Sequence, residues 1–486
     1  MQVQNKRRPK VVIIGAGMTG MLVAIKLREA GIHDIVILEK KDKIGGTWRE
    51  NTYPGVACDI PAHMYTYSFE PNPNWSHRFA HGDEIQEYFE HVANKYKVLP
   101  IIRFNEAVTS CHFNDAKWTL KTSQDQTYVA DFVVSATGIL HHPAKPNIPG
   151  LESFKGACFH TAEWDHSVSL KNKNVGVIGT GSTAAQSIPE VVKEATKVSV
   201  FQRTPQWIAN LPNKQFSEKT KARWLQKPQL LKRLYRWYTF GVEQIFSKAV
   251  IGKQIPYNIV NIMCRLNLWL SIKDPVLRAK LKPNYRVGCK RIIVNSSFYE
   301  AIQKPNAELV TEGIQKVVPE GVITQDGKLH PLDVLVLSTG FHPFNFMRPM
   351  DLRGKNGLKI DERWGTKVQA YRSLLIPEFP NFFLMLGPNT PIGNFSVIAM
   401  SEVQTEYVLK LIERWQDAEF DEVSATDSAL KDFNIYLKEG MSNTVWLGGC
   451  QSWYLDADGD PAMWPYTWKQ WVKEMEEPNM NDLLIQ

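Results

Sequence analysis

Two glycine-rich loops in this chain have the residue types and spacing that hold the pyrophosphate of a dinucleotide. Their members are Gly15, Gly17 and Gly20 in the first loop and Gly179, Thr180, Gly181, Ser182 and Thr183 in the second. Glycine permits a tight turn and a close approach of the backbone, and the following helix N-terminus offers free N–H groups and partial positive charge. Each loop follows an apolar run and opens a helical pattern, which is the context that the motif requires.

The residue roughly 20 positions beyond each loop distinguishes the two predicted sites. Glu39 can accept hydrogen bonds from ribose hydroxyls and would repel a 2′-phosphate. Arg203, together with Thr204, offers charge-assisted hydrogen bonds to such a phosphate. The first site is therefore predicted to hold the adenosine of FAD, and the second to prefer NADPH to NADH.

A third segment with chemistry is residues 45–59, GGTWRENTYPGVACD. Its paired glycines, Gly45 and Gly46, suit close packing on a flat ring or a pyrophosphate. The Tyr-Pro-Gly triplet at 53–55 predicts a turn, because proline fixes φ and glycine allows φ > 0. Asp59 is a candidate active-site carboxylate; the alternative interpretation is an Asx turn or a helix cap.

These residues need strands and helices to position them, and the chain supplies a repeated pattern. The strands predicted before and after the loops are Val11–Ile14, 34–38, Asn174–Ile178 and Lys197–Phe201. Alternating segments at 108–113, 117–121 and 127–132 predict a meander on the first parallel sheet. The fold class predicted is α/β, with two Rossmann-like dinucleotide-binding domains and a helical insertion in or beside the second.

The predicted domain order is discontinuous. Residues 1–145 form the first part of an FAD-binding domain, and residues 146–340 form an NADP-binding domain that includes the helical insertion at about 206–286. Residues 341–486 return to the FAD-binding domain and add a C-terminal cap. Four tryptophans of the insertion are candidates either for a substrate pocket or for the core, the more frequent place at helical spacing: Trp207, Trp224, Trp237 and Trp269.

Composition limits the classes of protein to which this chain can belong. The chain has 486 residues, of which 43% are hydrophobic and 22% charged, as is ordinary for a globular protein of two or three domains. No run predicts a membrane-spanning helix, and the first strand follows too closely on the N-terminus for a secretory segment. Six scattered cysteines without a C-x-x-C pair predict a reduced, cytoplasmic chain, no metal site and no disulfide oxidoreductase.

Charge is concentrated in one region. Residues 206–290 hold 17 Lys and Arg against 3 Asp and Glu, a local charge of +14 in a chain whose total is +7. We interpret this as a solvated helical face and an electrostatic funnel for an anionic cofactor. Weak peripheral contact with anionic lipid is the interpretation left open beside it. No nucleic acid is predicted as a partner, because the chain has no module that reads one.

Residues 154–165 have the pattern F-x-G-x-x-x-H-x-x-x-W-[PD], carried by Phe154, Gly156, His160, Trp164 and Asp165. This pattern resembles the fingerprint of Baeyer–Villiger monooxygenases. Residues 45–59 match the longer pattern of that family at every fixed position. The similarity spans roughly residues 10–465. The segment that follows Trp453 near the C-terminus, Met463-Trp464-Pro465, is more similar to the acetophenone-type branch of the family than to the cyclohexanone type.

The resemblance implies an FAD-containing enzyme that uses NADPH and O2 to convert a ketone to an ester or lactone through a C4a-peroxyflavin, with sulfoxidation as a side activity. It implies that Arg291 faces the flavin and stabilises the anionic peroxide and adduct, and that Asp59 orients Arg291. It also implies that Lys290 reaches the 2′-phosphate of NADPH and that Trp453 contacts the nicotinamide ribose; the alternative for Trp453 is a core aromatic. The other cofactor-binding residues predicted are Gly46, Thr47, Trp48, Tyr65 and Val108.

Two other functions compete with this one. A related flavin monooxygenase that oxygenates nitrogen or sulfur shares both loops, but its linker usually lacks the Trp-[Asp/Pro] ending and it does not need Arg291. A non-catalytic flavin-binding protein would not need Asp59, Lys290 and Arg291. His160 is open to an acid–base role, but its place between the domains favours a hinge. The sequence predicts neither the preferred ketone nor the oligomeric state.

Overall fold

The computed structural model describes residues 6–391, 393, 395–450, 454–456, 458–460 and 462–486. Within these residues the strands, in chain order, are β1 Val11–Ile14, β2 Ile35–Leu38, β3 Ile102–Arg103, β4 Val108–Asn114, β5 Lys117–Thr122, β6 Thr127–Ala130, β7 Phe132–Ser135, β8 Ala157–His160, β9 Asn174–Ile178, β10 Lys197–Phe201, β11 Ile208–Ala209, β12 Ile293–Val294, β13 Ala307–Val310, β14 Ile314–Val318, β15 Gly321–Thr324, β16 Leu329–Pro331, β17 Val334–Leu337, β18 Asp351–Arg353, β19 Phe382–Leu384, β20 Val423–Ala425 and β21 Leu483–Ile485.

The helices in the same part of the chain are α1 Met18–Glu29, α2 Thr47–Glu50, α3 Gly82–Lys95, α4 Ser182–Glu194, α5 Glu218–Gln226, α6 Gln229–Val242, α7 Lys248–Val250, α8 Gln254–Ser271, α9 Pro275–Leu281, α10 Phe298–Ala301, α11 Ile360–Trp364, α12 Val397–Gln416, α13 Asp427–Met441 and α14 Trp468–Glu474. A π-helical turn, Glu243–Ser247, joins α6 to α7. None of these helices is both long and apolar enough to cross a membrane.

Two five-stranded parallel sheets organise the molecule. The first has the order β19-β7-β1-β2-β3 and the second β13-β10-β9-β17-β8. Their central strands are continuous apolar runs that are buried on both faces, as helices cover parallel sheets on both sides. The predicted α/β class with two Rossmann-like units is confirmed. β19 belongs to the first sheet but follows every strand of the second sheet in sequence. The chain therefore returns to the first sheet after completing the second.

The predicted meander is present and lies on the first parallel sheet. β4, β5 and β6 are antiparallel neighbours in a separate four-stranded sheet of order β18-β4-β5-β6. Trp118, which is fully buried on β5, packs its ring against Phe382 of β19. The small sheet therefore lies against the first parallel sheet instead of extending it, because its apolar face needs a covering layer.

The helical insertion begins later than predicted. Residues 206–217 are mostly extended, and β11 pairs with β12 on the far side of the insertion. The helices proper run from α5 to α9. Of the four tryptophans considered, Trp207 and Trp224 are buried in the core, whereas Trp237 and Trp269 are exposed by 64% and 61%.

A disulfide between Cys289 and Cys450 contradicts the expectation of a fully reduced chain. The two residues are 161 positions apart, so no local spacing rule could pair them. Their proximity is created by the C-terminal cap folding back on the end of the insertion. Cys58, Cys111 and Cys264 stay as buried thiols, and Cys158 is exposed.

Candidate active site

The first glycine loop is built for close approach. Gly15 has φ of +103°, and a Cβ there would lie 2.7 Å from the carbonyl oxygen of Ala136. Gly20 packs so tightly that a Cβ would overlap the carbonyl oxygen of Gly15. At Gly17, by contrast, the nearest atom to a Cβ is the Cα of Gly46, 3.7 Å away. The first and third glycines thus serve packing, whereas the second leaves room for a ligand beside the start of α1.

Glu39 ends β2 and is buried against this loop. Its Oε2 accepts a hydrogen bond from the backbone N–H of Ala16 at 2.7 Å, and its Oε1 accepts from that of Lys41 at 3.0 Å. The carboxylate is therefore held at the loop in one orientation. Val108 opens β4 close by, since the N–H of Glu106 donates to the carbonyl of Glu39 at 2.9 Å.

The 45–59 segment lies on the other side of the loop. Gly46, with φ of +55°, caps the short helix α2, which opens at Thr47. The indole N–H of Trp48 donates to the hydroxyl of Tyr65 at 3.0 Å, and that hydroxyl contacts the sulfur of Met18 at 3.7 Å. These predicted cofactor residues are brought together at the N-terminus of α1.

The second glycine loop leaves more open space. Gly179 has φ of +114°, and a Cβ there would overlap the carbonyl oxygen of Ser338. A Cβ at Gly181 would meet nothing within 4 Å. The Thr180 hydroxyl donates to the carbonyl of Thr204 at 3.0 Å, which joins the loop to the end of β10. Ser182 and Thr183 begin α4.

Neither loop helix has a competing cap. No side chain caps α1 or α4, and the first turn of each lacks an acidic residue. Their N-terminal N–H groups and partial positive charge are therefore directed at the open space beside Gly17 and Gly181. This arrangement fits the pyrophosphates of two dinucleotides.

Arg203 and Lys290 form a cluster of like charge near the second loop. Burial lowers the pKa of Lys290, and the charge of Arg203 lowers it further, so the two cations are electrostatic neighbours. The Lys290 ammonium lies 5.4 Å from the ring centre of Tyr285. Neither cation is in an ion pair within the part of the chain that the structure describes. Two neighbouring cations without a carboxylate fit an anionic ligand group such as a phosphate.

Arg291 and Asp59 form a bidentate ion pair, although they are 232 positions apart. The Arg291 Nε donates to Asp59 Oδ2 at 3.0 Å, and Nη2 donates to Oδ1 and Oδ2 at 2.7 Å. The side chains are 31% and 17% exposed. The charge of Asp59 raises the pKa of Arg291, so the guanidinium stays cationic. Nη1 has no hydrogen-bond acceptor among the described residues and remains available to a ligand.

Two neighbours of this pair were not predicted from sequence. Tyr454 is buried beside Arg291, and burial raises the pKa of its hydroxyl to about 12. Cys58 is buried next to Asp59, and burial raises the pKa of its thiol. Both groups are thus neutral near pH 7, and neither adds a charge beside the Asp59–Arg291 pair. Tyr454 directly follows Trp453 in the sequence, but nothing in its residue type signals the contact with Arg291.

The Tyr-Pro-Gly turn joins the two dinucleotide domains. The N–H of Val56 donates to the carbonyl of Tyr53 at 3.2 Å, as the predicted turn requires. The Tyr53 hydroxyl and the Ala57 backbone both bond to the side chain of Gln186 on α4. A Cβ at Gly55 would overlap the carbonyl oxygen of Gln186. The segment that leads to Asp59 is therefore seated on the helix that follows the second glycine loop.

His160 ends β8 and is 1% exposed. Its Nδ1 accepts from the N–H of Ala162 at 3.1 Å, and its ring packs edge-on against Phe341 at 5.7 Å. The two connections between the sheets run side by side here, since the N–H of Ala144 donates to the carbonyl of Gly340 at 2.8 Å. This placement agrees with a role in the connection between domains. Burial lowers the pKa of His160, so the ring is neutral near pH 7.

Trp453 lies outside the described residues, and its contact with the nicotinamide ribose stays a prediction. Cys450, three positions earlier, is tied by the disulfide to Cys289, the residue before Lys290. The start of this C-terminal segment is thus fixed beside the Lys290–Arg291 pair.

The fold and these sites define a flavin-linked oxidoreductase with two dinucleotide-binding units. Residues 12–235 match the family described as pyridine nucleotide-disulphide oxidoreductase. A Baeyer–Villiger monooxygenase of Streptomyces coelicolor is 37% identical over 98% of this chain and 92% of its own length. A monooxygenase of Mycobacterium tuberculosis, without an assigned reaction, is 45% identical over 95% of this chain and 92% of its own.

Solved structures agree with this relationship. OTEMO in complex with FAD and NADP superposes with a TM-score of 0.88 at 26% identity, over 99% of this chain and 100% of its own. Cyclohexanone monooxygenase of a Rhodococcus species bound to NADP+ superposes with a TM-score of 0.87 at 26% identity, over 99% of both chains. The chain belongs to the Baeyer–Villiger monooxygenase family, which confirms the resemblance seen in the two fingerprints. The predicted cofactor pair, FAD and NADP, is the pair present in the OTEMO complex.

Proposed function

We propose that this chain catalyses the oxygenation of a ketone to an ester or lactone with NADPH and O2. The observation that carries the proposal is the bidentate Asp59–Arg291 pair, which joins the flavin-side segment to the residue after Lys290. An N- or S-oxygenating enzyme has no need of this fixed cation. The relatives named Baeyer–Villiger monooxygenase support the same reaction.

Bound FAD would supply hydride acceptance from NADPH and activation of O2. The task of the protein is to stabilise negative charge on oxygen, first on the attacking oxygen and then on the former carbonyl oxygen. Arg291 meets both needs because it does not deprotonate and because Asp59 holds it in place before the charge develops. The free Nη1 is the donor that would face the reacting oxygen.

The residues that follow the second strand of each Rossmann unit would select the cofactors. Glu39, fixed by the Ala16 N–H, would accept from the ribose hydroxyls of FAD. Arg203 and Lys290 would bind the 2′-phosphate of NADPH, a dianion that relieves their mutual repulsion. We also propose a cytoplasmic location on the requirement for NADPH; the argument from unpaired cysteines no longer supports it, because Cys289 and Cys450 are joined.

The test is aerobic turnover of the purified FAD-loaded protein with NADPH and a panel of cyclic, aryl, steroidal and long-chain ketones plus one thioether. Mass spectrometry should detect esters or lactones one oxygen heavier than the ketones. Arg291→Ala should still allow NADPH to reduce FAD but abolish ester formation, and Arg291→Lys should recover part of it. Sulfoxide formation without any ester would contradict the proposal, and so would an Arg291→Ala variant that still makes ester.

A further inference from the structure

Helix α8 is apolar on both of its faces. Its inner face buries Val260, Cys264 and Leu268 against the second domain. Its outer face carries five exposed apolar side chains in an i, i+4, i+7, i+11, i+14 series, with exposures of 75, 50, 55, 48 and 61%: Ile255, Ile259, Ile262, Leu266 and Trp269. A surface helix ordinarily has a polar outer face. We call these five residues the outer stripe; it runs nearly the full length of α8.

The same insertion exposes further apolar groups. Trp237 and Phe240 on α6 are 64% and 62% exposed, and Leu270 and Val276 continue beyond the outer stripe at 63% and 65%. Scattered exposed apolar residues need no explanation, but a contiguous set usually marks a binding surface. These residues all belong to the helical insertion, and those of the outer stripe share one face of α8, so this face is the candidate binding surface.

Exposed cations lie on α8 and at both of its ends, and others line a groove elsewhere in the insertion. Lys253 precedes α8, Arg265 is exposed within it and Lys273 follows it. A groove of about 520 Å³ between α5 and α6 is lined by three more cations together with two tryptophans and two leucines: Lys219, Arg223, Arg233, Trp224, Trp237, Leu230 and Leu234, with Thr220. Across residues 206–290 the charge is +14. The surface is both apolar and strongly positive.

The apolar side chains together with the positive charge indicate which kind of partner this surface would bind. In a symmetric dimer built on this face, a second copy of the chain would bring a patch of the same sign against this one, and like charges at an interface are repulsive. The surface of an anionic bilayer offers negative headgroups for the cations and an acyl boundary for the apolar residues. Tryptophan also favours the headgroup level of a membrane, where its ring is partly wet.

We propose that the α5–α9 insertion docks on an anionic lipid surface, with the outer stripe inserted at the acyl boundary and the cations of the insertion at the headgroups. Docking is peripheral, since none of the described helices is suited to span a bilayer. The helix would lie in the plane of the interface, as an amphipathic surface helix does. The Asp59–Arg291 pair takes no part in this contact, so turnover of a water-soluble ketone does not depend on it.

The first measurement is co-sedimentation of the FAD-loaded protein with two kinds of vesicle. One is phosphatidylcholine alone, and the other is phosphatidylcholine in which about 30% of the lipid is anionic phosphatidylglycerol. Pelleting is expected with the anionic vesicles and not with phosphatidylcholine. It should fall at least tenfold when NaCl is raised from 0.05 to about 0.5 M, because salt screens the headgroup charge.

The double substitution Ile259→Asp with Ile262→Asp should lower partitioning at least tenfold and leave FAD content and turnover of a soluble ketone unchanged. Ile435→Asp is the matched control, because Ile435 is 49% exposed on α13, outside the insertion; it should bind vesicles like the parent. Three outcomes would overturn the proposal. They are no pelleting with anionic vesicles, an equal loss in the control, and a parent dimer in sedimentation velocity that the double variant converts to monomer.

Discussion

The two dinucleotide units have the same order of strand, glycine loop, helix and strand, and they differ in the residue that follows the second strand. In each, an apolar strand leads through a glycine with φ above +100° to a helix without a side-chain cap, and a second strand follows. The first unit ends in Glu39, which is buried and bonded to its own loop. The second ends in Arg203, which is exposed and has a second cation, Lys290, as its neighbour.

The loops also differ at their third position. The first has Gly20, whose missing side chain is required by the carbonyl of Gly15, whereas the second has Ala184, fully buried at the same place. Different residues are therefore responsible for the packing of each unit and for the choice of its ligand. The glycines set how closely helix and strand approach, and on the proposed assignment the charge at the end of the second strand would select between a ribose hydroxyl and a ribose phosphate.

Substitutions at the third position of each glycine loop should have the largest effects and should distinguish the two units most clearly. Gly20→Ala places a methyl group on the Gly15 carbonyl and should cost about 3 kcal/mol or more of stability, with loss of bound FAD. Ala184→Gly removes one buried methyl and should cost only about 1 kcal/mol, with FAD retained. Urea unfolding and flavin absorbance measure both. Equal losses in the two variants would show that the loops pack alike.

Glu39→Gln should weaken the first site selectively. Both carboxylate oxygens accept from backbone N–H groups, and an amide would turn its NH2 toward one of them. We expect a loss of about 1.5–3 kcal/mol, or roughly 10- to 100-fold in FAD affinity. The KM for NADPH of the FAD-saturated variant should be unchanged. A rise in that KM without any loss of FAD would contradict the assignment of the two loops.

Arg203→Ala should weaken the second site in the complementary way. Removing one charge-assisted bond to the 2′-phosphate should lower kcat/KM for NADPH roughly tenfold, and Lys290→Ala should do the same. NADH lacks this phosphate and serves as the internal control, with kcat/KM unchanged. A parallel fall for both nucleotides would indicate a loss of loop structure instead of phosphate recognition.

The smallest effect concerns pH. Burial and the charge of Arg203 lower the pKa of Lys290, so its positive charge is lost at lower pH than that of a free lysine. As pH rises, kcat/KM for NADPH should fall early while that for NADH stays flat, since kcat/KM reports the free enzyme. In Arg203→Ala the fall should move to higher pH. An unmoved profile would mean that the two cations are not coupled.

Much of the scaffold was predictable from local pattern. β1, β9 and β10 begin and end at the predicted residues, because a short apolar run bounded by polar residues has few alternatives. β2 begins one residue later than predicted, after Asp34. Alternation also identified the strands of the meander, but it did not show that they pair with β18 in a sheet of their own.

The site was predictable in its members and not in its geometry. The 45–59 segment offered Asp59 as a candidate and the family resemblance implied Arg291, but their hydrogen bonds depend on two domains meeting. The seating of Gly55 on Gln186 and the burial of Tyr454 beside Arg291 left no local signal. The disulfide between Cys289 and Cys450 was wrongly excluded, because pairing depends on distance in space and not on spacing in the chain.

The sequence by itself determined the α/β class, the two glycine loops, the opposite charges of Glu39 and Arg203 and the family. Each of these depends on residues that are close in the chain, where φ preference, apolar period and charge act directly. Only the tertiary structure decided which groups meet Arg291, which cysteines pair and which side of α8 is left uncovered. Those outcomes depend on contacts between distant segments, and a helix with two apolar faces does not reveal from its sequence which face the core will bury.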